Sequence, residues 1–332
     1  NADLVQFFGG LNDTVLNALV LRFLGAQAVA VCSRATLASF SANGKRMCPC
    51  LNDQNGPPFA PLERMSTACV DVLRLGRDGR KEHGERAKVV VACRHARTLS
   101  CVYGNLAGLS EQLDWGDGIH ACLELRWVRL HQCNLAPGDV AHLLHCAPRL
   151  EHLVLVAEDL EGLADALQEL APKCVGLREV TITDCRLTAV DAQALLGALP
   201  GVRRAHLQAM HLSGFRAPPL PALEHLALLD CALSRADVAA LMARCPRLRA
   251  LMLPGNPLGQ PDDDHEPPDN PWPEMRLLRE ADFRHCELTA SDEEALRGSL
   301  PRGVQLQVRS GQPELSRQHV LFESSESESD AG

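Results

Sequence analysis

Fourteen cysteines and thirteen histidines are the side chains here whose chemistry reaches beyond packing. Thiols and imidazoles bind zinc, exchange disulfides or act as nucleophile and base when spacing brings them together. The tightest grouping is "HLLHC", His142 to Cys146, which sets two imidazoles three residues apart on one helical face. A zinc ion needs two further ligands, and no second pair is identifiable from the spacing. "CPC" at Cys48 and Cys50 is shorter than a CxxC knuckle and reads as a turn. No GxSxG elbow, phosphate loop or HExxH stands anywhere in the chain. The expectation is therefore not an enzyme, with no catalytic residue, metal or cofactor.

Most of the other cysteines are periodic. In "LEHLALLDCALSRADVAALMARCPRL", residues 223 to 248, one follows a short apolar alternation and another precedes the next. Sliding that phrase along the chain yields an eleven-residue frame, apolar at slots 1, 4, 6 and 11, with a small residue at slot 9. Clear copies start at Leu125, Leu177, Leu223, Leu248 and Leu278, weaker ones at Leu150 and Val202. Less secure starts lie at Ala96 and Val70. Cys133, Cys185, Cys231 and Cys286 take slot 9, with Asn256 in the same place of the Leu248 copy. Cys146, Cys174 and Cys245 sit three or four residues before the next start.

The elements that would carry these slots follow from period. Alternation over slots 3 to 7 predicts a strand, and "VDAQALLGAL" (Val190 to Leu199) and "ADVAALMARC" (Ala236 to Cys245) have helical spacing. One strand and one helix cannot bury their apolar faces alone, so successive units must stack. The composition agrees: 46% of the 332 residues are hydrophobic and only 4% aromatic, which requires a core of Leu, Val and Ala.

The combination "CPxLxxLxLxxC" resembles the cysteine-containing subclass of leucine-rich repeats, common in F-box proteins, over roughly Val70 to Val308. The resemblance implies an α/β solenoid with a parallel sheet on its concave side and helices outside. It also implies that slot-9 residues point inward and bond the backbone, making the seven periodic thiols structural. Ahead of the repeats, "LNDTVLNALVLRFLGAQAVAVCSRATLASF" (Leu11 to Phe40) is similar to an F-box. Leu11, Leu16, Leu19, Leu24 and Val29 match its adaptor-binding pattern, whereas Asn12, Thr14 and Ala35 depart from it. A helical cap over the first repeat is the competing reading of the same two short helices.

The chain then divides into an F-box-like module or cap (1–45), a Gly- and Pro-rich linker (46–69), repeats (70–310) and an acidic Ser-rich tail (311–332). The repeats carry an insertion at 259–275. Slots 3, 5 and 7 project from the concave sheet. They nominate Trp127, Arg129, His131, His152, Thr181, Arg204, His206, His225, Asp282 and Arg284 as partner-binding residues. Trp127 is either an exposed anchor or tucked under a loop. Trp272, between prolines of the insertion, is expected to touch a partner, unless the insertion is only a solvated loop. Ser325 and Ser327 each precede an acidic residue by three positions, which resembles an acidophilic kinase site on an otherwise solvated tail.

A net charge of -9 and a pI near 5.8 leave no basic excess for phosphates, so a protein partner is expected and nucleic acid is not. Asn17, Arg22, Gly25 and Gln27 interrupt the apolar run Val15 to Val31, which therefore reads as buried helices and not as a membrane span. Reduced thiols fit the cytoplasm or nucleus, and because residue 1 is Asn a signal ahead of it stays open. The resemblance implies a substrate receptor of a cullin-type ubiquitin ligase, docked on a Skp-family adaptor and cullin. A ligase-independent scaffold, or a subunit of a larger assembly, is the alternative.

Overall fold

The computed structural model describes residues 50–51, 72–75, 96–113, 124–259, 272–273 and 275–308. The F-box-like residues Leu11, Leu16, Leu19, Leu24 and Val29, and Ser325 and Ser327 of the tail, lie outside these residues. Eleven strands form one parallel sheet in chain order. They are β1 (Cys50–Leu51), β2 (Val72–Leu75), β3 (Thr98–Val102), β4 (Trp127–His131), β5 (His152–Val156) and β6 (Glu179–Thr183), then β7 (Arg204–Gln208), β8 (His225–Leu229), β9 (Ala250–Met252), β10 (Glu280–Asp282) and β11 (Gln305–Gln307). The helices between them are α1 (Leu109–Leu113), α2 (Pro137–Cys146), α3 (Leu163–Glu169), α4 (Ala189–Gly197), α5 (Arg235–Arg244) and α6 (Ala290–Ser299). The result is a solenoid-like α/β stack. One expectation is corrected: Cys50, read as part of a turn within the linker, opens β1 and pairs in parallel with β2. A segment passing the sheet's first edge gains backbone partners there, which composition alone does not reveal.

The register is the same at every step, slot 3 facing slot 3: Trp127 opposite His152, His152 opposite Glu179, Glu179 opposite Arg204. Slots 4 and 6 turn inward, and Leu153, Leu155, Val180, Ile182, Leu226 and Leu228 are all buried in one continuous core. The starts of α4, α5 and α6 are set by a Ser or Thr with Asp three residues later. Thr188, Ser234 and Thr289 accept from the N–H of Asp191, Asp237 and Asp292, whose carboxylates accept from the cap N–H groups in return. Aspartates at this third position in α2, α4 and α5 also tie neighbouring turns together. Asp139 accepts from the Ser110 N–H at 2.7 Å, Asp191 from Ala164 at 2.8 Å and Asp237 from Gly214 at 3.2 Å. Burial pushes the Asp191 carboxyl up, but the bonds from Thr188, Ala164 and Gly162 together hold it below the usual range.

Between β7 and β8 no helix forms, because Pro218, Pro219 and Pro221 remove donors a helix needs. Leu212, Phe215 and Leu220 fill the space instead, all buried. Slot 8 of each described turn has positive φ, at Tyr103, Gln132, Ala157, Asp184, Ala209, Asp230, Gly255 and His285. Only one of these is glycine. At Tyr103, Gln132, Ala157, Asp184, Ala209, Asp230 and Gly255 the left-handed conformation is held by a bond from the slot-8 N–H to the slot-7 carbonyl of the next turn, as from Gln132 to Val156 at 2.9 Å and Ala209 to Leu229 at 2.9 Å.

Candidate binding face

The inward slot 9 is a hydrogen-bond ladder. The thiols of Cys133, Cys231 and Cys286 donate to the carbonyls of Cys101, Leu207 and Leu253 on the preceding turn, at 3.4, 3.4 and 3.0 Å. Asn256 donates to Leu228 and Leu253 carbonyls, both at 2.7 Å, and accepts from the N–H groups of Cys231 and Leu233. Burial pushes the Cys231, Cys245 and Cys286 thiols up to about 12, and Cys174 and Cys185 up to about 11. Thiols held protonated at neutral pH are poor nucleophiles and poor metal ligands. His142 and His145 each bond a backbone carbonyl, of Gly138 and Ala171. Among the described residues no group of three or more His, Cys, Asp or Glu could hold a metal ion.

One rung of this ladder went unnoticed in the frame. Slot 9 of the Leu150 copy is Glu158, buried, accepting from the Cys133 N–H at 2.6 Å and the Leu135 N–H at 3.0 Å. It does the accepting half of the Asn256 task. A carboxylate has no proton to return to Leu130, whose carbonyl matches the one that Asn256 reaches on Leu228. Burial raises the Glu158 carboxyl above its ordinary value, and the backbone donors offset this only in part. A group raised in the folded state costs stability while ionised, and that cost disappears as pH falls through its folded value towards 4.5. Glu158→Asn is expected to stabilise the fold by about 1 kcal/mol at pH 7.5, by supplying the missing donors and removing the buried charge. Thermal melts at pH 7.5 and 5 check it: the variant's advantage should shrink at the lower pH.

Slots 3, 5 and 7 line the opposite face of the sheet. Trp127 and His131 are half-buried on β4, with Arg129 exposed between them. Tyr103, the only tyrosine in the chain and 45% exposed, leans on His131 with ring centroids 4.8 Å apart. An indole, a phenol and a guanidinium with no ion pair among the described residues, all on one face, combine apolar contact area with hydrogen-bonding tips, the usual composition of an interface centre. From Trp127 the slot-3 row continues through a charged chain. His152 bonds Glu179 at 3.0 Å, and Glu179 accepts from Arg204 at 2.6 Å, beside His225 on the next strand. Thr181 is half-buried one slot in. Tyr103 was missed because the Ala96 copy of the frame is weak and slot 8 was not counted as facing outward.

Three nominated residues need correction. Trp272 is not a contact on an exposed loop: it is 1% exposed and meets Phe283 edge-on at 5.8 Å inside the core. Asp282 is buried, with both carboxylate oxygens taken by the Arg284 guanidinium at 2.7 to 3.0 Å, so neither charge is free for a partner. His206 is buried because it sits at mid-strand between Thr181 and Ala227 and leans on Gln208 at 3.4 Å. Arg284 and Asp282 lie two strands beyond β8, apart from the Trp127 patch.

Three histidines of this face, His131, His206 and His225, favour the neutral form. Burial lowers His206; burial and then Arg129 lower His131; burial and then Arg204 lower His225. Their folded values lie below 6.5, so the unfolded chain binds more protons as pH drops past 6.5, and folding stability falls with it. Melting temperature is expected to decline between pH 7.5 and 5.5, and His206→Gln should flatten that slope. Parallel slopes in wild type and variant would place the proton uptake elsewhere.

No helix among the described residues is long and apolar enough to cross a membrane. Compared with family models and with curated protein sequences, the chain finds no match.

Proposed function

We propose that this chain is a protein-binding solenoid of the leucine-rich repeat type, which receives a protein partner on the face of its sheet lined by slots 3, 5 and 7. The observation that carries the reading is the Tyr103, Trp127, Arg129 and His131 patch, where aromatic surface and an exposed guanidinium meet on a rigid ladder. Binding, not catalysis, is what such a face does. The test is quantitative affinity purification from the parent cell extract, comparing wild type with Trp127→Ala and Arg129→Ala. A defined set of proteins lost from both variants supports the reading. Identical recoveries from all three baits would overturn it.

The finer proposal is a substrate receptor of a cullin-type ubiquitin ligase. Its support is the F-box-like pattern of Leu11, Leu16, Leu19, Leu24 and Val29 ahead of "CPxLxxLxLxxC" units. It expects a Skp-family adaptor and a cullin to co-purify, and Leu16→Asp to release both while the Trp127-dependent partner stays bound. Absence of adaptor and cullin from a well-expressed bait leaves a ligase-independent scaffold.

A further inference from the structure

The edge of the sheet where the strands begin is lined with arginine, although the chain as a whole carries -9. Some of this charge is spent between neighbouring turns, in the pairs Arg126 with Glu151, Arg149 with Glu124, Arg204 with Glu179 and Arg249 with Glu224. Five more exposed arginines on that edge, Arg178, Arg203, Arg247, Arg279 and Arg302, make no ion pair among the described residues. Val175, 83% exposed, and Leu277, 50% exposed, stand among them and offer apolar contact. The far edge has the opposite character, with exposed Asp159, Glu161, Asp184 and Asp230. Unneutralised guanidinium groups ahead of β6, β7, β9, β10 and β11, with β8 skipped, suit an extended acidic segment.

We infer that the occupant is the chain's own acidic segment, "FESSESESD" (Phe322 to Asp330). It carries Glu323, Glu326, Glu328 and Asp330 and no basic residue. It also follows the strand nearest to the arginines that have no ion pair. The described residues stop at Val308, just after β11, and Glu323 lies 15 residue steps further along the chain. That stretch spans at most about 50 Å. Running back along β11 and across to β7 takes roughly 35 Å, at about 3.3 Å per residue and 4.8 Å per strand. The acidic segment therefore reaches Arg302, Arg279, Arg247 and Arg203 in turn. Phosphate on Ser325 or Ser327 would add charge to the same segment and tighten its hold. This docking is independent of the open-face reading, since it uses the edge and not slots 3 to 7.

The experiment is cleavage of the intact protein by a Glu-specific protease, following loss of the tail by mass spectrometry. A synthetic peptide of residues 317–332 serves as the unprotected standard. At about 20 mM salt the tail of the intact protein is expected to be cut roughly tenfold more slowly than the peptide, and at about 500 mM salt equally fast. The R203S/R247S/R279S variant should be cut at the peptide's rate at both salts, with its circular dichroism unchanged. R203K/R247K/R279K, which keeps the charge, should keep most of the protection. Equal cleavage of wild type and the serine variant at low salt would overturn the inference, as would protection that survives the serine substitutions.

Discussion

Replacing Trp272 by alanine is expected to destabilise the protein by about 3 to 5 kcal/mol, the largest effect of any single substitution considered for this fold. The insertion leaves the stack at Gly259, whose N–H bonds the Cys286 carbonyl at 3.2 Å. A Cβ there would lie 1.7 Å from the Glu287 carbonyl oxygen, so only glycine fits so close an approach. The chain is described again at Trp272, whose ring is buried in the core edge-on against Phe283. Removing the ring leaves a cavity beside Phe283. Trp272→Phe should cost far less, since it retains an aromatic edge against Phe283 and the indole N–H has no hydrogen-bond partner among the described residues. Urea unfolding followed by far-ultraviolet circular dichroism distinguishes the two. A midpoint unchanged in Trp272→Ala would mean that the ring is not part of the core.

The second large effect compares two adjacent residues. Leu226→Ala is expected to cost about 2 to 5 kcal/mol and His225→Ala no more than about 0.5 kcal/mol. Leu226 is 2% exposed and lies in the core between Ala205 and Leu251 of the flanking strands. His225 points the other way, half-buried on the open face. Because strand side chains alternate, a frame wrong by one residue would exchange the two costs. Equal melting temperatures for the two variants would refute the register.

Much of this arrangement was legible in the chain. Leucines at slots 4 and 6 must be inward if slots 3, 5 and 7 are not, and the helical stretches expected from Val190 and Ala236 start within one residue of that, as Ala189–Gly197 and Arg235–Arg244. The candidate face was legible by slot but not by exposure. Arg129 and Arg204 are exposed at slots 5 and 3, whereas His206 and Asp282 share slot 5 and are buried. The difference lies in the neighbours, Thr181, Ala227 and Gln208 in one case and a folded-back Arg284 in the other. Glu158 was readable as a slot-9 residue, yet a charged side chain in a buried slot contradicts the usual pattern of burial, and so it stood out only once its two N–H donors were seen.

By itself, the sequence determined the period, the inward and outward slots and the helix starts, because these depend on side-chain alternation and on residues within a few positions of one another. The tertiary structure alone decided which outward residues are free, that Trp272 is core, and that Tyr103 joins His131. It also decided that arginines some 25 residues apart form one edge. Those facts depend on which turn lies beside which, a relation between distant segments that no local pattern of residues expresses.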